Sequence, residues 1–287
     1  MAACKLANES RYHGQRVAFL TQHGKEGVVG AVLESFVGCL VERVTGFDTD
    51  LLGTFTRDIP RAGTQIEAAR NKARTGMEIS GQLLGLASEG SFGVDPYAGL
   101  LPWNVEILVF IDDQLGLEVV GMAQGAANSG QVLATHWEDA RQFAQAMRFP
   151  EHHLVIRPDR DSDPRIRKGI SDWRTFRMAY DEAVAHSASG CVFVEVDLRA
   201  YANPTRLASI RLAAVDLGRR LASVCPVCRA PGFWTVKTIA GLPCQACGAP
   251  TRETRAEIHA CLQCGHSVTC DRQRLAADPA RCDHCNP

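Results

Sequence analysis

Eight of the twelve cysteines fall in the last 63 residues as four C-x-x-C pairs: Cys225/Cys228, Cys244/Cys247, Cys261/Cys264 and Cys282/Cys285. A C-x-x-C turn presents two thiolates side by side, and two such turns supply the four soft ligands of one tetrahedral ion. Fifteen residues separate Cys228 from Cys244 and 17 separate Cys264 from Cys282, gaps that suit zinc ribbons. The pattern therefore predicts two zinc ions. Sequential use of the pairs groups Cys225/Cys228/Cys244/Cys247 and Cys261/Cys264/Cys282/Cys285 as tandem ribbons, and an interleaved grouping is open on the same spacing. Gly248 and Gly265 follow the second cysteine of their pairs, where the turn needs a residue tolerant of positive φ, and Pro226 belongs to the same kind of turn. Four thiolates per ion leave no open coordination position, so both ions are expected to be structural and to supply much of the folding free energy of a segment with little apolar core. Iron suits the same spacing. Cys270, His266 and His284 are expected to be bystanders.

A disulfide framework would need an exported chain. Residues 1–12 are short, mixed and polar, without the apolar stretch of a signal peptide. A redox C-x-x-C usually stands alone beside a βαβ unit, unlike four pairs in series. No apolar run approaches the roughly 18 residues of a membrane span. Together these predict reduced thiols, a cytoplasmic location and no membrane partner. A net charge of −1 argues against a generally basic nucleic-acid binder, although a local patch survives it.

With 287 residues and 46% hydrophobic content, the chain has room for one ordinary domain and one small one. The division is expected at 14–222 and 223–287. Residues 17–20 read as a buried strand and 25–36 as a helix with apolar side chains at helical spacing. A strand follows at 40–44. Thr64 and Glu67 have the spacing of a capping box, opening a helix to about residue 75. A strand at 83–87 is expected to end in a polar, glycine-bearing loop at 88–93. Residues 105–111 and 117–122 form a hairpin. Helices at 137–147, 172–186 (capped by Ser171) and 203–222 alternate with strands at 154–156 and 191–196. Asn203 is placed at the N-cap of the last helix and Pro204 at its first position. This order predicts an α/β or α+β domain with one mixed sheet. His152 and His153 are expected to be exposed, and 157–168 to be a solvated loop whose Arg165, Arg167 and Lys168 could cover a polyphosphate. Phe233 and Trp234 are expected to form the small core of the cysteine-rich segment.

Ligands of α/β sheets gather at the carboxyl ends of strands. Three such ends are polar. Thr21-Gln22-His23-Gly24-Lys25-Glu26 leads into a helix whose N–H groups and Lys25 could hold phosphate. Lys72 lies in the helix that Thr64 opens. Glu89-Gly90 offers a carboxylate beside a position that admits close ligand approach, suited to Mg²⁺. Asp48 and Asp50 are further hard-oxygen candidates, with turn formation as the simpler account.

These three pieces resemble the nucleoside triphosphate pyrophosphatase superfamily, which acts on inosine and xanthosine triphosphates. Thr21 and Lys25 match its opening strand–helix motif, with His23 in place of Asn and the Glu one place early. Thr64, Glu67, Ala69, Lys72 and Ala73 match its helix motif, with Ala68 in place of Asn. Its closing Ser-His-Arg is absent as such, and Asn203-Pro204-Thr205-Arg206 and Ser209-Ile210-Arg211 stand nearest to it. The resemblance implies an inosine-triphosphatase-like fold and Mg²⁺-dependent hydrolysis of a nucleotide or related phosphoanhydride. Glu67 and Glu89 would be catalytic and bind Mg²⁺, while Thr21, His23, Lys25, Lys72 and Arg206 would bind phosphate. The alternative is an inactive core whose zinc ribbons recognise nucleic acid or a protein. The whole chain also resembles a bacterial domain family of unknown function, through 21–26, 48–55, 87–93, 199–206 and the cysteine-rich segment.

Overall fold

The computed structural model describes residues 10–22, 24–46 and 63–287. The chain divides into two compact units, Met1–Gly218 and Arg219–Pro287.

The apolar run at 17–20 forms β1 (Arg16–Leu20), flanked by parallel neighbours on both sides. β2 (Leu40–Val44) pairs with it from Arg16↔Leu40 to Leu20↔Val44, and β3 (Leu84–Val94) meets it at Ala18↔Gly85 and Phe19↔Leu86. A strand enclosed in this way has helices over both faces and no reason to alternate with polar residues. β4 (Pro102–Asp112) and β5 (Leu117–Ala126) continue the sheet antiparallel, giving the order β2-β1-β3-β4-β5. α1 (Lys25–Val37) leads outward from β1 to β2, and α2 (Gln65–Ser80) precedes β3 on the other side of β1. The connection therefore changes direction around β1, which opens a crevice at its carboxyl end.

Close approaches at glycines show which helix covers which face. A Cβ at Gly85 would lie 2.5 Å from the sulphur of Met77 in α2. One at Gly121, on the opposite face, would lie 2.5 Å from the backbone nitrogen of Leu217 in α5 (Pro204–Ala222). Phe36 of α1 packs on Gly218 of α5, so these two helices share that face.

The first unit also holds a four-stranded antiparallel sheet, a second sheet where one was expected. β6 (Gln131–Ala134), β7 (Leu154–Pro158), β8 (Arg167–Ile170) and β9 (Val192–Val196) lie in the order β6-β9-β7-β8. α3 (Trp137–Ala146) and α4 (Trp173–His186) cover one face, packing Ala140, Phe176 and Tyr180 onto Leu154, Ile156 and Val194.

Several local expectations are corrected. Residues 88–93 extend β3, because every residue from Leu84 to Val94 pairs with β4. Asp172, not Ser171, caps α4, its carboxylate accepting the Thr175 N–H at 2.8 Å. His152 is fully buried with Nε2 2.9 Å from Thr205 Oγ1, so the polar dipeptide is not a surface feature. The 157–168 stretch begins inside β7, where Arg157 is 2% exposed and donates to the Asp163 carbonyl. At the last helix the expected cap is present: Asn203 Oδ1 accepts the Arg206 N–H at 2.9 Å.

The second unit contains a three-stranded antiparallel sheet that the cysteine spacing did not reveal: β10 (Trp234–Ala240), β11 (Thr254–Ala260) and β12 (Ser267–Asp271). Phe233 forms a small buried cluster with Cys225, Ala230 and Cys261. Trp234 stays half-buried and stacks on His259. Among the described residues no helix is long and apolar enough to cross a membrane.

The Gly121 contact gives a direct test of the first unit's packing. A methyl group there meets backbone atoms of α5 that have no rotamer to change. Gly121→Ala is expected to lower stability by about 2 kcal/mol, the scale of core overpacking, read as a reduced urea midpoint.

Candidate functional site

The eight cysteines come together as two groups of four, and the grouping is interleaved. Cys225, Cys228, Cys261 and Cys264 form one, and Cys244, Cys247, Cys282 and Cys285 the other. The tandem, sequential arrangement is thereby corrected. Within each group all sulphurs lie within 4.8 Å of one another. Facing pairs are 3.7 Å apart for Cys225–Cys264, 3.5 Å for Cys228–Cys261, 3.9 Å for Cys244–Cys285 and 3.7 Å for Cys247–Cys282. A disulfide needs about 2.05 Å. A tetrahedron with metal–sulphur bonds of about 2.3 Å has edges near 3.8 Å. Each group can therefore hold one metal ion, consistent with zinc.

Local hairpins build these groups. The N–H groups of Arg229, Gly248 and Gly265 donate to the carbonyls of Cys225, Cys244 and Cys261, four residues earlier. All three residues have φ between 63° and 74°, as expected for the two glycines, with Arg229 taking the same conformation. Val227 N and Ala246 N point at the sulphurs of Cys225 and Cys244 at 3.4 Å. Such N–H···S contacts stabilise thiolate charge. Cys270, His266 and His284 belong to neither group.

In the first unit, charged side chains converge beyond the carboxyl end of β1. Lys25 opens α1, is 8% exposed, and its Nζ donates to Ser88 Oγ of β3 at 3.1 Å. Lys72 reaches from α2 to pair with Glu89 on the other face of β3. Glu106 of β4 has no exposure and accepts from Arg206 Nε at 2.7 Å. Arg206, 2% exposed, also donates through Nη1 to the Leu198 carbonyl at 2.6 Å.

Glu106 lies opposite Gly90 in the β3–β4 register. A Cβ at Gly90 would stand 2.3 Å from Glu106 Oε1 and 2.8 Å from Arg206 Nη2, so the ion pair lies across β3 where the side chain is missing. Asn104 Nδ2 donates to Glu106 Oε1 and to the Ser91 carbonyl, each at 3.2 Å. Glu106 Oε2 and Asn104 Oδ1 are buried and have no hydrogen-bond partner among the described residues. Beside this pair, Gly90, Phe92, Gly93, Gly130 and Leu198 help line a cleft of about 710 Å³.

The cluster thus holds three basic groups and two carboxylates. Burial first, then the neighbouring Arg206 and Lys72, lower the Lys25 amine to about 7, against the opposing pull of Glu106 and Glu89. Near neutral pH Lys25 can gain or release a proton, and the cluster suits an anionic guest.

Lys25, Lys72, Glu89 and Arg206 are therefore brought together as the sequence suggested. Thr21 is buried next to them, its Oγ1 donating to the Gln22 carbonyl at 3.0 Å. His23, Asp48 and Asp50 lie outside the described residues. Glu67 does not join the cluster. Its exposed carboxylate accepts from Thr64 N at 2.7 Å and Thr64 Oγ1 at 2.8 Å, completing the capping box, and these bonds hold its pKa below the usual range. Sequence reasoning missed Ser88, Asn104 and Glu106. For Glu106 a signal existed: a lone carboxylate inside the apolar run Val105-Glu106-Ile107-Leu108-Val109, where a buried charge demands a partner.

A family sequence model, described as a domain of unknown function (DUF6671), matches residues 72–287. The chain belongs to this family. The DUF6671 match spans Lys72, Ser88, Glu89, Glu106, Arg206 and all eight paired cysteines, and begins after Lys25 and Glu67. No curated protein and no solved structure matches the chain.

Three outcomes are expected from these sites. Cys228→Ser should release one metal equivalent and make Cys261 and Cys264 reactive to iodoacetamide, leaving Cys244, Cys247, Cys282 and Cys285 protected; sequential pairing would expose Cys244 and Cys247 instead. Glu106→Gln strands the Arg206 charge and should cost about 3–5 kcal/mol, read by urea denaturation. Lys25 binds its proton more weakly folded, near 7, than unfolded, near 10.4. Between those values the unfolded state carries more protons, so this group's contribution makes stability rise with pH. Any stability advantage of Lys25→Met over the wild type should accordingly shrink from about pH 7 to about pH 10, measured as the difference in urea midpoints.

Proposed function

We propose that the first unit hydrolyses a phosphoanhydride of the nucleotide class and that the second unit is held by two structural zinc ions. The observation that carries this reading is the meeting of buried Lys25 and Arg206 and half-buried Lys72 with buried Glu89 and Glu106 at the carboxyl end of β1. Cations shielded from water bind phosphate oxygens more strongly than exposed ones and neutralise charge that develops during displacement. Arg206 and Lys72 hold and orient the phosphate chain, and the adjacent cleft receives the organic part of the substrate.

Magnesium fits the donor set at Glu106, whose buried Oε2 is a hard oxygen without a hydrogen-bond partner among the described residues. Glu89 is the second carboxylate within the cluster, while Glu67 is engaged at its helix cap. A bound Mg²⁺ would supply charge neutralisation on the phosphate oxygens.

The test is release of pyrophosphate or phosphate from a panel of standard and deaminated nucleoside triphosphates, with and without Mg²⁺. Mg²⁺-dependent release is expected, and Glu89→Gln should reduce it at least about 100-fold with the fold preserved. Wild-type turnover in that variant would remove Glu89 from the site.

A second reading, a protein-binding module, draws on the first metal group. Val227 and Leu262, inside its two C-x-x-C turns, are 65% and 67% exposed. Absence of release from every substrate by folded, metal-loaded protein would favour it.

A further inference from the structure

We propose that Ser88 and Lys25 form a nucleophile–base pair, in which Ser88 Oγ attacks the bound phosphoryl group and carries it as a phosphoserine; this rests on the phosphoanhydride reading.

The three basic groups are used differently. Lys72 is paired with Glu89 and Arg206 with Glu106. Lys25 is buried with them, yet its described hydrogen bond is to a hydroxyl, Ser88 Oγ, at 3.1 Å. A charged ammonium placed there without a carboxylate of its own would be costly, whereas a neutral amine would not. A neutral amine at this distance is also an acceptor for the serine proton.

The surroundings favour the neutral form. Facing Lys25 are Ser88 and Glu89 of β3, Lys72 of α2, Glu106 of β4 and Arg206 of α5, and burial with the two cations lowers the amine to about 7. A base with a pKa near the working pH combines availability with proton affinity. Ser88 is 3% exposed and lies on the face of β3 that also bears Gly90 and the Glu106–Arg206 pair, two residues along. Nucleophile, base and phosphate-binding guanidinium therefore share one side of one strand, the arrangement an activated hydroxyl requires.

The step balances with water as the sole co-reactant. The Ser88 hydroxyl proton passes to Lys25 Nζ while the Oγ–P bond forms and the P–O bond to the leaving phosphate breaks. The leaving oxygen takes that proton from Lys25. Water then attacks the phosphoserine phosphorus, giving a proton to Lys25, and Ser88 Oγ departs and takes the proton back.

The test is labelling of the full, metal-loaded chain with a small fluorophosphonate, followed by intact mass and peptide mapping, run beside nucleotide hydrolysis. One label on Ser88 is expected. Ser88→Ala should take no label. Lys25→Met, an apolar replacement of similar length, should be labelled at least about 100-fold more slowly while remaining folded. Folded wild type without label, label that survives Ser88→Ala, or Lys25→Met labelled at the wild-type rate would each overturn the pair. The two proposals fail separately: labelling of Ser88 without nucleotide hydrolysis removes the substrate class and keeps the pair, while hydrolysis that survives Ser88→Ala removes the pair and keeps the substrate class.

Discussion

A carboxylate with no exposure and a guanidinium with almost none meet over a glycine in the first unit. Neither Glu106 nor Arg206 could be taken out of water alone, because an isolated buried charge costs several kcal/mol. Each is tolerable only with the other in place. The pair consequently fixes the start of α5 against β4, and through the Leu198 carbonyl it fixes the segment leaving β9 as well. Elements of both sheets are registered by one interaction, and the charged cluster inherits that alignment. Buried ion pairs add little net stability compared with apolar packing. What this pair contributes is a defined position for charge.

The second unit is built on the opposite strategy. Its apolar cluster contains two of the metal-binding cysteines themselves, with Ala230 and Phe233. So small a core does not order 69 residues unaided. Four thiolates around a bound ion in each group would supply what hydrophobic burial does not. The hairpins at Cys225, Cys244 and Cys261 repeat one hydrogen-bond pattern, so a local rule is used three times, and an ion in each group of four would join its copies.

How much of this was legible in the sequence depended on the range of the interaction. Spacing set by a local turn was readable: the eight ligands, the left-handed residues after Cys247 and Cys264, the Asn203 cap and the Thr64–Glu67 capping box. The apolar run at 17–20 gave β1 for the same reason. Pairing between distant segments was not readable. Residues 88–93 look like a loop because glycine and serine are poor strand formers alone, yet they pair along their whole length with β4. The capping box predicted the bonds that Glu67 makes with Thr64. Lys25 and Glu89 could be nominated as polar residues at strand ends, and Lys72 and Arg206 only through the family resemblance, whereas Ser88 and Glu106 required knowing which strands adjoin.

The crossed use of cysteine pairs bears on how such a module passes between genes. Two side-by-side ribbons could be duplicated, lost or exchanged one at a time. Here a recombination joint anywhere from Cys228 to Cys282 parts the ligands of at least one ion. No half of the segment is a smaller version of the whole, because neither half holds a complete group of four.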